Sequence, residues 1–488
     1  MAMTDRRTFI QAAAALPMTA AAGTAFAQAP STAPAAQAKP APAKDVTREL
    51  AHYIVTANYD DLPASVRKEG VRTLLNWVGV AIGGSHHQTV DIAVAALAPF
   101  SGPAQASLFG RRERFDIMNA AFLNGVSSHI FDYDDTHLKT IIHPAGPVAS
   151  AIIALSELQP VSGKDFLNAL VLGVETECRI GNAVYPNHYD VGWHITGTAG
   201  VFGSAAAVGK LLKLNEQQMV WALGLAASQP VGLRESFGSM NKSFNPGRAA
   251  SNGIFAAMLA SKNFTSSDHM IEAKRGWANI VSTKQDYGEI LGDLGKRYEA
   301  LLNTYKPFAC GIVMHPTIDA AIQLRNENRL TADQIERVDL KVHPLVLELT
   351  GKKTPRDGLE SKFSIYHAVA VALVEGAGGE KQFSDRAVTD PTIVALRSKV
   401  QPIVTPGIDS AQVDMTIVLK DGRTLHRFVA HAIGSVEAPM TDKQLEGKFA
   451  DLADGVIPAS AIRRVMDACW DVENLSSAAE IAKMSVAA

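Results

Sequence analysis

The chain has 488 residues, 47% hydrophobic and 19% charged, enough to bury a large core and a prior for more than one domain. Its formal net charge is −3 and no lysine- or arginine-rich block stands out, which argues against nucleic acid or an anionic membrane as the main partner. Three widely spaced cysteines, Cys178, Cys310 and Cys469, form no CxxC pair, so no iron–sulfur or zinc framework is encoded and buried thiols are expected.

In chain order, Arg6-Arg7 followed by Phe9-Ile10, a mild apolar run and Ala25-Phe26-Ala27 fit a twin-arginine signal over residues 1–27. That route exports folded proteins and places the mature protein in the periplasm. Residues 28–44 are almost entirely Ala, Pro, Gln, Ser and Lys, the composition of a solvated tether. No later segment is apolar and long enough to span a bilayer. From 45 to 305 apolar runs of helical length recur at 71–82, 117–129, 147–158 and 202–212, and the small residues of 197–212 suit close helix–helix contact. After Lys306 the texture alternates, at 338–342 and 413–417. Asp421-Gly422 before 424–429 is a strong hairpin signal. The fold class expected is therefore mainly α: a helical domain over 45–305, a smaller α+β domain over 306–435, and C-terminal helices over 436–488 that rejoin the first.

Polar chemistry collects in five places. The densest runs from His129 through Asp132, Asp134, Asp135, Thr136 and His137 to His143-Pro144. Carboxylates and histidines beside an apolar helix are expensive unless paired or used. Pro144 predicts that His143 sits on a turn. Asp and His are also metal ligands, but neither HExxH nor another recognised ligand spacing is present, and no metal is expected. Next is His194, between Trp193 and Ile195. Third, Lys242 and Arg248 fall in a glycine-bounded turn (238–248) ahead of an alanine-rich helix, where two cations and backbone N–H groups suit a carboxylate. Fourth is Tyr305-Lys306-Pro307-Phe308-Ala309-Cys310 at the domain junction, a favoured place for a ligand cleft. The fifth, Lys362-Phe363-Ser364-Ile365-Tyr366-His367, opens a helix of the second domain.

These stretches, in this order, resemble the MmgE/PrpD family. The likeness is carried by Asn124-Gly125, Asp132 to Thr136, His143-Pro144, Gly192 to Thr196, Ser239 to Lys242 with Pro246-Gly247-Arg248, Lys306-Pro307-Phe308 and Lys362 to Ile365. The resemblance implies a helical main domain, a smaller lid domain with the active site in the cleft between them, a homodimer and no cofactor. It places Asp132, Thr136, His143, His194, Lys242 and Lys306 on active-site positions. Lys242 and Lys306 are then the cations that stabilise charge next to a substrate carboxylate. His143 and His194 are base and acid in undecided order, and Asp132 orients an imidazole or acts as base. Thr136, Arg248, Asp135 and His367 are assigned to substrate binding. Two departures set decarboxylation behind dehydration: His367 follows Tyr366 where relatives carry a tyrosine, and the histidine that decarboxylase-like relatives carry near Gly311 is missing.

The function expected first is a cofactor-independent dehydratase of a small hydroxy-di- or tricarboxylate such as 2-methylcitrate. A dicarboxylate epimerase and a non-catalytic periplasmic carboxylate-binding protein remain open.

Overall fold

A computed structural model describes residues 45–487. The expected signal and tether lie outside the described residues. Helices dominate, with a smaller α+β part, as expected. The elements that build the site are, in chain order, helices α1 (Ala64–Gly84) and α2 (Ile117–His129), strand β1 (Asp135–His137), then helices α3 (Ala145–Leu158), α4 (Gly163–Val184), α5 (Ile195–Leu211) and α6 (Asn241–Ser261). Strand β2 (Asn303–Tyr305) leads into helix α7 (His315–Asn328), strand β3 (Ile335–Val342), helix α8 (Ile365–Glu375), strands β4 (Val400–Val404), β5 (Val413–Leu419) and β6 (Thr424–Val429), and helix α9 (Asp442–Ala453).

The helix ends carry their own signals. Asp116 accepts from the N–H groups of Met118 and Asn119 at the start of α2, Ser162 caps α4, and Thr441 with Gln444 forms a capping box on α9. Between helices, glycines set the spacing. A methyl at Gly125 of α2 would lie 2.6 Å from Gly247 Cα on α6, and one at Gly247 would lie 2.4 Å from the Phe122 carbonyl oxygen. Only hydrogen fits where these two backbones touch, and that contact brings the first turn of α6 to the end of α2.

Residues of α1 to α4 share one apolar core with the C-terminal helices, Phe449 of α9 packing on Gly79 of α1. A separate core, drawn from 308–432, fills the α+β part. There a four-stranded sheet runs in the order β4-β3-β5-β6, with β3 and β4 parallel and the other pairs antiparallel. Val413, Met415, Ile417 and Leu419 of β5 face this core, which α7 and α8 complete with Ile318, Ala321, Val369 and Ala372. The hairpin at Asp421-Gly422 forms as expected, Gly422 taking φ 87°. One short ladder was not expected. β1 and β2 pair antiparallel, Asp135 opposite Tyr305 and His137 opposite Asn303, and so dock the 132–137 segment on the strand leading into Lys306. Among the described residues no helix is long and apolar enough to cross a membrane, and all three cysteines are buried and free.

Candidate active site

At the centre stands Asp132, just past α2, in the left-handed region at φ 50°. Its Oδ1 accepts from Lys242 Nζ at 3.0 Å and from Lys306 Nζ at 2.5 Å, and Lys306 also donates to its carbonyl at 3.1 Å. All three residues are buried. Burial alone would push the Asp132 carboxyl up, but the two lysines outweigh it and hold it well below the usual carboxylate range. The Lys242 ammonium is itself pulled down by burial, against the attraction of Asp132.

Three histidines surround this ion cluster, and their hydrogen bonds assign each proton. His129 Nδ1 donates to Asp134 Oδ2 at 2.5 Å, which leaves Nε2 to accept from Lys242 at 2.9 Å. His143 Nδ1 lies 2.8 Å from the Asp135 carbonyl oxygen, which can only accept. The proton therefore sits on Nδ1 and Nε2 carries a lone pair. His194 is the opposite case. The Ser236 hydroxyl donates to the Leu233 carbonyl, so Ser236 Oγ accepts from Asn245 Nδ2; the same amide nitrogen donates to His194 Nδ1 at 2.8 Å. His194 therefore keeps its proton on Nε2. Burial lowers the pKa of all three rings well below the ordinary histidine value, with Lys242 adding to the shift at His129 and His194 and Asp134 opposing it at His143. All three are neutral at physiological pH.

His143 and His194, with Asp132, Lys242 and Lys306, line a small cavity of about 30 Å³ whose other walls include Phe237, Ile312, Thr350 and Phe363. Both the helical part and the α+β part contribute walls. Lys242 Nζ lies 5.5 Å from the Phe237 ring centroid and 5.7 Å from that of Phe363.

One ring nitrogen of each of His129, His143 and His194 lies within 4.8 Å of the others, a grouping that nothing in the sequence spacing announces, and Asp132, Asp134 and His143 form a second such trio. A cation entering the histidine trio would have to displace Lys242 from His129 and sit beside Lys306. The donors are better matched to fixed lysine charges and acid–base work than to a divalent ion.

Comparisons with known proteins identify the family. The MmgE/PrpD N-terminal domain model matches residues 48–290, and the MmgE/PrpD C-terminal domain model matches residues 308–472. The chain belongs to the MmgE/PrpD family. A cis-aconitate decarboxylase-like protein of Aspergillus oryzae is 26% identical over 468 residues, covering 90% of this chain and 97% of that protein. Cis-aconitate decarboxylase of Homo sapiens is 26% identical over 452 residues, covering 88% and 92%. The 2-methylcitrate dehydratase of Cupriavidus necator is 22% identical over 378 residues, covering 70% and 74%.

Five of the expected residues in this MmgE/PrpD chain, Asp132, His143, His194, Lys242 and Lys306, meet at the cavity. Thr136 and Asp135 sit behind it. Thr136 Oγ1 lies 3.2 Å from His143 Nδ1, and the Asp135 carboxyl takes the N–H of Ala145 and the amide of Asn303. Burial, then Asp134, pushes Asp135 up to about 7. These two position His143 rather than line the cavity. Their expected place in substrate binding is corrected, and so is that of the other two residues assigned to it. Arg248 is exposed on α6, because Lys242 and Asn245 (i, i+3) face inward and Arg248 lies about 120° round the helix from Lys242. His367 turns into the α+β core, its Nε2 against the Gln382 carbonyl at 2.9 Å and its ring against Phe383. Lys242 itself lies in the first turn of α6, which runs through Pro246, and not in a loop ahead of it.

The sequence reading named His129 and Asp134 in the first cluster without giving either a role, and it missed Asn245 and Lys448. Asn245 could have been found from its i+3 spacing to Lys242. Lys448 carried no signal. It reaches in from α9, its Nζ donating to Asn76 Oδ1 at 2.8 Å, the Tyr133 carbonyl at 2.5 Å and the Lys306 carbonyl at 2.9 Å. Burial lowers it to about 7, against the pull of Asp134.

Proposed function

We propose that this protein is a cofactor-independent lyase that removes water from a small hydroxy-di- or tricarboxylate. The observation that carries the reading is the opposed protonation of two histidines on one cavity, with a lone pair at His143 Nε2 and a proton at His194 Nε2. Lys242 and Lys306 hold the substrate carboxylate and stabilise negative charge as it develops on the adjacent carbon. His143 Nε2 takes the proton from that carbon, the C–H electron pair becomes the new double bond, and the C–O bond breaks. His194 Nε2–H, as a neutral donor, supports the departing hydroxide, which takes its proton back from His143 and leaves as water. Both rings end neutral, as they began.

The names of the more similar relatives favour a second reading, decarboxylation of an unsaturated tricarboxylate. Loss of carbon dioxide needs a proton delivered to carbon and leaves the His143 lone pair without a task, so we place it second. To separate the two, the mature protein is incubated with a panel of di- and tricarboxylic acids in deuterated water, with a chelator present, and followed by proton NMR and carbon dioxide release. A new vinyl signal with water lost establishes dehydration. Carbon dioxide establishes decarboxylation, deuterium uptake alone an epimerase. Binding without any change in the acid leaves a carboxylate-binding protein.

We propose further that the protein is exported by the twin-arginine route and works as a homodimer in the periplasm. Cell fractionation with N-terminal sequencing of the exported form, expected to begin at Gln28, and sedimentation equilibrium test these points.

A further inference from the structure

Beside the catalytic cavity lies a second, larger one of about 200 Å³. The two adjoin at Ile141, Ile312 and Val313, which line both. Ile141 stands at this boundary with φ 60°, a left-handed backbone that a β-branched residue rarely adopts and that persists only where the surroundings enforce it. Leu138, Pro316 and Leu345 add further hydrocarbon to the larger cavity, while Asp409 and Ser410 stand at its rim. Among the described residues no lysine or arginine lines it. Its one imidazole, His315, is buried with both ring nitrogens unpartnered among the described residues, and stays uncharged because burial and Lys306 push it down to about 3.

The two compartments therefore differ in kind. Cations gather in the smaller one, at Lys242 and Lys306, whereas the larger one holds no fixed positive charge for an anion, only the neutral His315 ring and the hydroxyls of Tyr185, Ser410 and Ser435. A carboxylate placed there would lose water without gaining a cationic partner, whereas a hydrocarbon chain would gain by leaving water. The geometry points to a substrate with two unlike ends: a reacting carboxylic acid between Lys242 and Lys306, and an uncharged, chiefly alkyl arm that runs past Ile141, Ile312 and Val313 into the second cavity. This deepens the reading of the site as one that acts on a carboxylate and rests on it.

The test is calorimetric titration of the full chain with succinate, methylsuccinate, butylsuccinate and hexylsuccinate. Affinity should climb about three- to fourfold per methylene until the cavity is filled. Ala411→Trp at the rim and Ile433→Trp on the wall, each chosen in case the other misfolds, should erase that climb and leave succinate binding unchanged. If succinate binds and the alkyl acids bind no better, the arm is refuted while the carboxylate reading stands. Hexylsuccinate binding that survives Lys242→Met undiminished would put the acid elsewhere and overturn the proposal. If no acid of the series binds, the carboxylate reading itself has failed and the inference goes with it.

Discussion

Replacing Lys448 with methionine gives a change in stability whose dependence on pH follows from the fold. The amine is buried and held near 7, against 10.5 when exposed, because its three acceptors are neutral and the nearest full charges are only partly favourable. An amine whose pKa is lowered by folding binds fewer protons in the folded state than in the unfolded one. Stability therefore rises with pH between the two values, by about 1.4 kcal/mol per unit. The contribution is complete above about 10.5, declines as pH falls, and levels off below about 7. Between pH 7 and pH 9 the wild type should thus gain about 2.3 kcal/mol over Lys448→Met, in which no group titrates at this position. Other groups cancel in the difference. Urea denaturation of both proteins at pH 6, 7, 8 and 9, read as the difference in midpoint multiplied by the common slope, measures it. A difference that stays level from pH 6 to pH 9 would refute the argument, since Lys448 would then keep one charge state throughout.

Further outcomes follow from the site. Asn245→Asp should draw the His194 proton to Nδ1 and remove the Nε2–H donor, lowering kcat about 10²- to 10⁴-fold with KM little changed, and nitrogen-15 NMR of the ring reads the tautomer without substrate. If the ring nitrogens keep their wild-type shifts, the assignment at His194 is wrong. Asp132→Asn strips the shared counterion from two buried lysines and should cost about 3–5 kcal/mol in chemical denaturation, whereas a neutral outcome would mean one lysine was already uncharged. Gly125→Ala should push α6 away from α2, destabilise by about 1–3 kcal/mol and lower turnover by displacing Lys242; unchanged activity would show that the close contact does not set the lysine's place.

Much of this was legible in the sequence because it depends on local pattern. The long apolar runs became α1, α2, α3 and α5, and Asp421-Gly422 made its hairpin. Misreadings arose where tertiary packing overrode a local signal. Pro246-Gly247 looked like a turn, yet α6 runs through it because Gly247 is needed against α2, and that helix fixed the fates of Lys242, Asn245 and Arg248 together. β1 and β2 are three residues each, too short for alternation to show. The histidine tautomers and the reach of Lys448 depend on partners far away in sequence, which no window could contain.

The short ladder between β1 and β2 joins positions 166 to 170 residues apart in the chain. Six residues of strand gain little by themselves, and such a distant pairing forms only after the intervening helices have packed and brought its ends together. Asp132 and Lys306 meet through that pairing, so the ion cluster depends on two distant segments being held in one register. The site is thus a property of the packed molecule as a whole, and neither segment carries a part of it alone.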